Sequence, residues 1–205
     1  MSLLPIFVKL RDRLVVVVGG GAIAAGKMES LFAAEARVRI VAPQVTPAIV
    51  QWIDQGRVEW KAKAFAPADL DGAYLVIAAT SVPGVNEAVF SEADARGILC
   101  NAVDDIEHCH FYYGSVVQRG DLQIAISTNG KSPALAQRLR LQFEKQFGPE
   151  YELWLEWLGA ARELLRAGDN SADSKKVLLH HLASEPMFVR FLQEARRQRA
   201  GNGAA

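Results

Sequence analysis

The chain has 205 residues, half of them hydrophobic, and its 23 basic and 23 acidic side chains cancel to zero net charge. That size suits a main domain with a smaller companion and a substantial core, and the neutral balance gives no ground for nucleic acid or an anionic membrane as a partner. No apolar run approaches a membrane span, Met1–Phe7 lacks the basic flank and long apolar core of a secretion signal, and two cysteines, Cys100 and Cys109, make no disulfide framework, so the expected location is cytoplasmic.

In chain order, Leu14–Val18 is a β-branched run that enters Gly19-Gly20-Gly21, and a helix pattern over Ala22–Ala34 follows at once. A buried strand, a glycine turn and a helix start in that order form a dinucleotide fingerprint. Gly19 suits the sharp turn and Gly21 lets a pyrophosphate approach the backbone. Ala24 stands where the fingerprint takes Gly or Ala. The N–H groups of Ala22 and Ile23 would face the phosphates. Val38–Val41 reads as a second strand, and Pro43 and Pro47 bracket a loop before a helix carrying Ile49, Val50, Trp52 and Ile53. Further strands are expected at Val58–Trp60, Tyr74–Ala78 and Ile98–Val103, with a helix over Asn86–Arg96. Such alternation predicts an α/β, Rossmann-like parallel sheet over residues 1–113, with ligands beyond the carboxyl ends of its strands.

The pattern then changes. Ser115–Gln118 and Leu122–Ser127 read as a hairpin around a three-residue loop, Arg119-Gly120-Asp121. Ser132 and Pro133 start a helix that reaches Phe147. A hairpin and one helix make a poor core alone, so residues 114–149 are expected to be a small α+β dimerisation region. Residues 150–205 are expected to form a C-terminal helical domain, with Tyr151, Trp154, Leu155, Leu158, Ala161 and Leu165 on one face. Two short helices follow, around Val177–Leu182 and Pro186–Arg197, before a disordered tail over Gly201–Ala205.

Four features carry chemistry. Thr80 follows the fourth strand at the cofactor crevice. An ordinary NAD fold has an acid ending strand two, about twenty residues past the glycines, to grip the ribose; this chain has Ala42-Pro43-Gln44 there. Backbone groups with Gln44 or Thr46 must hold the adenosine end, and no arginine in that loop offers itself to a 2′-phosphate, which favours NAD over NADP. Asp104 directly follows the fifth strand and is expected to point into the crevice as a proton acceptor, with Asp105 pointing away by alternation. Ser127, Thr128, Asn129 and Lys131 precede a helix start in an anion-binding pattern. His108-Cys109-His110 offers two imidazoles where zinc takes three or four ligands, so no metal site is assigned.

Taken together, Leu4-Pro-Ile-Phe7, Val18-Gly-Gly-Gly-Ala-Ile-Ala24 with Lys27, Cys100-Asn-Ala-Val-Asp104 and Arg119–Ala136 make the chain resemble the precorrin-2 dehydrogenase family, which includes the N-terminal module of sirohaem synthases. The resemblance implies NAD-dependent oxidation of precorrin-2 to sirohydrochlorin by a homodimer interlocked through the hairpin-and-helix region. By position it implies NAD contacts at Ala22, Ile23, Pro43 and Gln44, beside the cofactor residues Gly19, Gly21 and Thr80 read from the turn and the crevice, and Asp104 as the general base. The carboxylate-rimmed tetrapyrrole would meet Asn101, Ser127, Thr128, Asn129 and Lys131. An enzyme that also inserts Fe²⁺ into sirohydrochlorin stays open as an alternative, as does a non-catalytic NAD-sensing module. Two departures, Asp105-Ile106 and Tyr112-Tyr113-Gly114 where the family often has proline, bear on the shape of the substrate cleft.

Overall fold

The computed structural model describes residues 3–202. Its tertiary contacts divide the chain into two compact units, Met1–Tyr113 and Gly114–Ala205.

In the first unit β1 (Leu14–Val18) is the middle strand of a five-stranded parallel sheet. β2 (Arg37–Val41) and β3 (Val58–Lys61) lie to one side of it, and β4 (Leu75–Ala78) and β5 (Leu99–Ala102) to the other, giving the order β3-β2-β1-β4-β5. Strands covered on both faces favour continuous apolar runs, and Val15 to Val18 are all at most 2% exposed. On one face α1 (Ala22–Ala33) and α2 (Pro47–Asp54) pack Met28, Leu31 and Ile49 against Val15, Val17 and Ile40; Val103 and Phe111 join that cluster. On the other face α3 (Pro83–Ala95) and a 3₁₀ turn at Pro67–Leu70 set Val89, Ala93 and Leu70 against Val16, Val76 and Cys100. All five strands therefore end at one edge, where β1 turns outward between β2 and β4. The chain direction reverses its progress across the sheet there, which is where open α/β sheets leave a ligand crevice.

Most element boundaries fall within a residue or two of expectation. α3 begins at Pro83, three residues before the predicted Asn86, because proline's fixed φ suits the first helical turn. Asn86 is itself buried rather than capping.

The second unit contains the hairpin β6 (Ser115–Arg119) and β7 (Leu122–Ile126), then α4 (Pro133–Gln146), α5 (Glu150–Ala167), α6 (Ala172–Leu182) and α7 (Glu185–Asn202). The hairpin loop has two residues, not three: Arg119 pairs with Leu122, and Gly120 takes φ +54 at the first loop position. Residues 114–149 and 150–205, expected as separate regions, form one unit. The cause is local. Arg119 donates from Nε to the Phe147 carbonyl at 2.9 Å and from an Nη to the Glu144 carbonyl at 3.1 Å, tying β6 to the end of α4. α5 packs on β7, and Gly120 lies against the Glu152 side chain. Arg119 is thus a C-terminal cap of α4. α6 starts five residues earlier than expected because Ser171 Oγ accepts from the Ser174 N–H at 3.3 Å. α7 carries the chain through Gly201 and Asn202, within the predicted tail; the rest of that tail lies outside the described residues. Among the described residues no helix is long and apolar enough to cross a membrane.

Candidate functional site

Each glycine of the turn meets a different demand. Gly19 has φ +121, a left-handed conformation that disfavours a side chain, and a Cβ there would fall under 3.0 Å from the Ala79 carbonyl. Gly20 has no expected role, yet a Cβ on it would fall under 3.0 Å from the Gln44 carbonyl and the Val45 side chain. The Gly20 carbonyl also accepts from the Thr46 N–H at 2.9 Å, so the loop after β2 lies directly on the turn. Gly21 has nothing within 4 Å of its Cβ position, which leaves open space over the backbone. It is the N-cap of α1, with no side-chain cap. The first-turn N–H groups of a helix have no intrahelical partner. Here Ala22 and Ile23 are exposed, and Ile23 is 49% exposed despite being a large apolar residue. Ala24, at the third fingerprint position, is fully buried against the sheet. An uncapped helix start beside open backbone fits an anionic pyrophosphate.

At the adenosine end the missing acid leaves a backbone-built rim. The Ala42 N–H donates to the Lys61 carbonyl at 3.2 Å, and the Trp60 indole donates to the Ala42 carbonyl at 2.9 Å. Pro43 and Gln44 are exposed beyond them. Lys61 and Lys63 both bond Asp69, at 3.3 and 2.5 Å. Burial presses the Asp69 carboxyl upward, but hydrogen bonds from Lys63, the Ala66 N–H and Lys61 bring it below its ordinary value. Thr80 follows β4 and is held by Asn86: its hydroxyl lies 2.8 Å from Asn86 Oδ1, and Asn86 Nδ2 donates to the Thr80 carbonyl at 3.1 Å. The hydroxyl is therefore engaged within the protein, while the Thr80 backbone borders the Gly19 turn.

Beyond β5 the chain does not stay extended. Asp104 takes φ +62 in a turn, so side-chain alternation does not decide where it and Asp105 point. Asp104 is exposed, and it acts electrostatically on Lys27 of α1. The Lys27 ammonium sits 4.0 Å from the centroid of the Tyr113 ring. Asp105 instead holds His108, with Oδ2 2.6 Å from Nδ1. That hydrogen bond lowers the Asp105 carboxyl and raises the His108 imidazole from their ordinary values.

Asn101 departs from expectation. It is 7% exposed, and its amide donates to the Phe111 carbonyl at 2.9 Å and Cys109 Sγ at 3.3 Å. Those donors clamp the returning chain to β5 rather than facing a ligand. His108 and His110 flank Phe90, with centroids at 5.1 and 4.8 Å. His110 Nδ1 accepts from the Cys100 N–H at 3.0 Å, and its Nε2 lies 3.0 Å from Asp94. Among the described residues no three His, Cys, Asp or Glu side chains are grouped to hold a metal.

In the second unit Ser127 Oγ accepts from the Asn129 N–H at 3.2 Å, and Thr128 Oγ1 accepts from the Ser132 N–H at 3.1 Å. Asn129 and Gly130 both have positive φ, at +52 and +75. Lys131 is exposed. Ser132 caps α4 through the Leu135 N–H at 3.2 Å. Pro133 has no N–H, so this helix start keeps fewer free donors than the sequence pattern suggests. The loop hydroxyls shape the turn, and each retains a hydrogen to donate.

The strand order and the glycine turn define a dinucleotide-binding protein of the Rossmann class. A family model described as "Putative NAD(P)-binding" matches residues 6–115, and one described as "Sirohaem biosynthesis protein central" matches residues 119–146. Siroheme synthase 1 of Serratia proteamaculans is 42% identical over 171 residues, covering 82% of this chain and 36% of that protein. Siroheme synthase of Photorhabdus laumondii subsp. laumondii is 46% identical over 144 residues, covering 70% and 31%. The chain thus spans about a third of the length of these curated relatives. A solved structure of SirC, a precorrin-2 dehydrogenase, superposes with a TM-score of 0.79 at 26% identity, covering 95% of this chain and all of that one. The chain belongs to the precorrin-2 dehydrogenase and sirohaem synthase N-terminal module family, and NAD(P) is its cofactor.

Proposed function

We propose that this chain oxidises precorrin-2 to sirohydrochlorin with NAD. The observation that carries the proposal is the exposed Asp104 carboxylate, set on a left-handed turn at the same sheet edge as the uncapped start of α1. Two hydrogens leave the substrate in this oxidation, one as hydride and one as a proton. The bound nicotinamide supplies the hydride acceptor. Everything else falls to the chain's residues.

Gly19, Gly21 and the N–H groups of Ala22 and Ile23 hold the pyrophosphate, and the Pro43-Gln44 loop borders the adenosine. The Thr80 backbone lines the turn. NAD is favoured over NADP because the loop after β2 carries no arginine, and Lys61 and Lys63 are both committed to Asp69. Asp104, the exposed carboxylate at that edge, takes the proton. In the second unit, Ser127, Thr128, Asn129 and Lys131 bind carboxylates of the tetrapyrrole. Asn101 supports the turn from inside rather than touching substrate. The protein acts as a cytoplasmic homodimer: α5 and α6 have no buried residue of their own, and Trp157, Leu164 and Val177 are 37%, 76% and 68% exposed.

The test is anaerobic incubation of the purified chain with precorrin-2 and NAD, following NADH and sirohydrochlorin by absorbance. Asp104→Asn is expected to lower turnover about 100-fold, the size of a general-base loss. A wild-type protein that yields neither product overturns the reaction. A folded Asp104→Asn variant with full turnover overturns the role of that residue.

A further inference from the structure

The first unit holds two tryptophans, and they differ in what they touch. Trp52 of α2 packs on the apolar cluster it shares with α1 and meets Phe32 edge-on, with ring centroids 5.5 Å apart. Trp60 of β3 has no aromatic or cationic ring partner among the described residues, and it is 37% exposed. Its indole N–H donates to the Ala42 carbonyl at 2.9 Å. The strand register gives the direction of the ring. Trp60 lies opposite Ile40, yet its indole reaches Ala42, two residues further on and past the end of β2. Two strand residues rise about 7 Å, so the ring leans toward the carboxyl edge, where ligands of such sheets sit. Lys61, the next residue, faces the other way and reaches Asp69. Among the described residues no other side chain hydrogen-bonds to residues 42–46. Pro43 and Gln44 stand exposed beside the ring's anchor.

We infer that Trp60 is the adenine platform of this crevice: its indole, pinned by its edge to the Ala42 carbonyl, offers a face on which the adenine of NAD stacks. The inference rests on the proposed placement of the adenosine beside the Pro43-Gln44 loop. An acid ending β2 would grip the ribose, and Ala42-Pro43-Gln44 provides none. A stack grips the base instead of the sugar, through the π face that every base presents. The bond to Ala42 satisfies the indole's single donor and fixes the plane of the ring, so little freedom is lost when adenine arrives.

The experiment measures, by calorimetry, the dissociation constants of NAD, AMP and nicotinamide mononucleotide for the full chain and its Trp60→Leu and Trp60→Phe variants. Trp60→Leu is expected to weaken NAD and AMP about tenfold, within the range of one lost base–aromatic stack. Nicotinamide mononucleotide lacks the adenine, and its affinity should hold. Trp60→Phe keeps a ring and should bind NAD within about threefold of wild type. If Trp60→Leu does not fold, Trp60→Thr, which suits a strand, is read in the same way. Unchanged NAD affinity in Trp60→Leu defeats this inference alone. Equal weakening of AMP and nicotinamide mononucleotide overturns it by making Trp60 a support of the whole crevice. Equal losses in Trp60→Leu and Trp60→Phe overturn it by assigning the effect to the indole hydrogen bond. A wild-type chain that binds neither NAD nor AMP defeats the placement of the adenosine and this inference together.

Discussion

The two units bury their apolar residues to different depths. In the first, every helix contributes fully buried side chains: Met28 and Leu31 from α1, Ile49 from α2, Val89 and Ala93 from α3. In the second, α5 and α6 contribute none, and the α4 helix buries only Ala136. Aromatic contacts partly replace that core, with Phe188 4.6 Å from both Tyr151 and Trp154 between ring centroids. A sheet covered on both faces completes its own interior. A hairpin beside four helices has no second layer and presents apolar surface that a further copy could bury.

The largest expected effect lies at the turn. Gly20→Val should destabilise the first unit by at least about 3 kcal/mol, because the new side chain collides with backbone that cannot relax cheaply. Chemical denaturation checks this, and a stable variant that still binds NAD would show that the loop after β2 moves freely. Next, Leu31→Ala is expected to cost about 3 kcal/mol as a buried leucine truncation. Leu164→Ala, by contrast, should stay within about 0.5 kcal/mol in a dilute monomer. Equal costs at equal concentration would erase the contrast between the units. A Leu164→Glu chain that runs smaller than wild type in light scattering at micromolar concentration would sharpen it, by placing that exposed leucine in an interface between copies. Unchanged mass would remove Leu164 from that role.

The smallest effect concerns pH. Asp105 raises the His108 imidazole above its ordinary value. The stabilisation from the protonated ring is complete below about pH 6.5, the unperturbed value, and is lost as pH rises through the higher folded value. Asp105 is lowered by the same contact, so its share is present above the ordinary carboxyl range and is lost only in acid. His108→Asn should therefore lower Tm more at pH 5.5 than at pH 8.5. A gap of equal size at both would remove the ion pair as its cause.

Much of this was legible in the residues. The valine run, three glycines and helix start gave β1, the turn and α1, because strand burial and glycine turns are local signals. The Ser132-Pro133 helix start was legible for the same reason. The geometry of Asp104 was not: the extended pattern through Val103 breaks at a left-handed residue whose position depends on Phe111 and Cys109 returning to clamp Asn101. Nor was the use of Thr80, whose hydroxyl is claimed by Asn86 from the next helix. Lys27 stands among the segments that carry the resemblance, but no pattern links it to Tyr113, 86 positions later. Composition sets residues 114–149 apart from the helices that follow, but α5 packs on β7 and Glu152 lies against Gly120 across that boundary, contacts between residues too distant in sequence for local patterns to show.

The contact between Gly20 and the Gln44 carbonyl bears on cofactor redesign. In this sheet architecture the residues just past β2 distinguish NAD from NADP. Here that loop is seated on the glycine turn through the Thr46 N–H and the bare Gly20 α-carbon. A graft that lifts the loop also disturbs the turn, so the two must be redesigned as one piece.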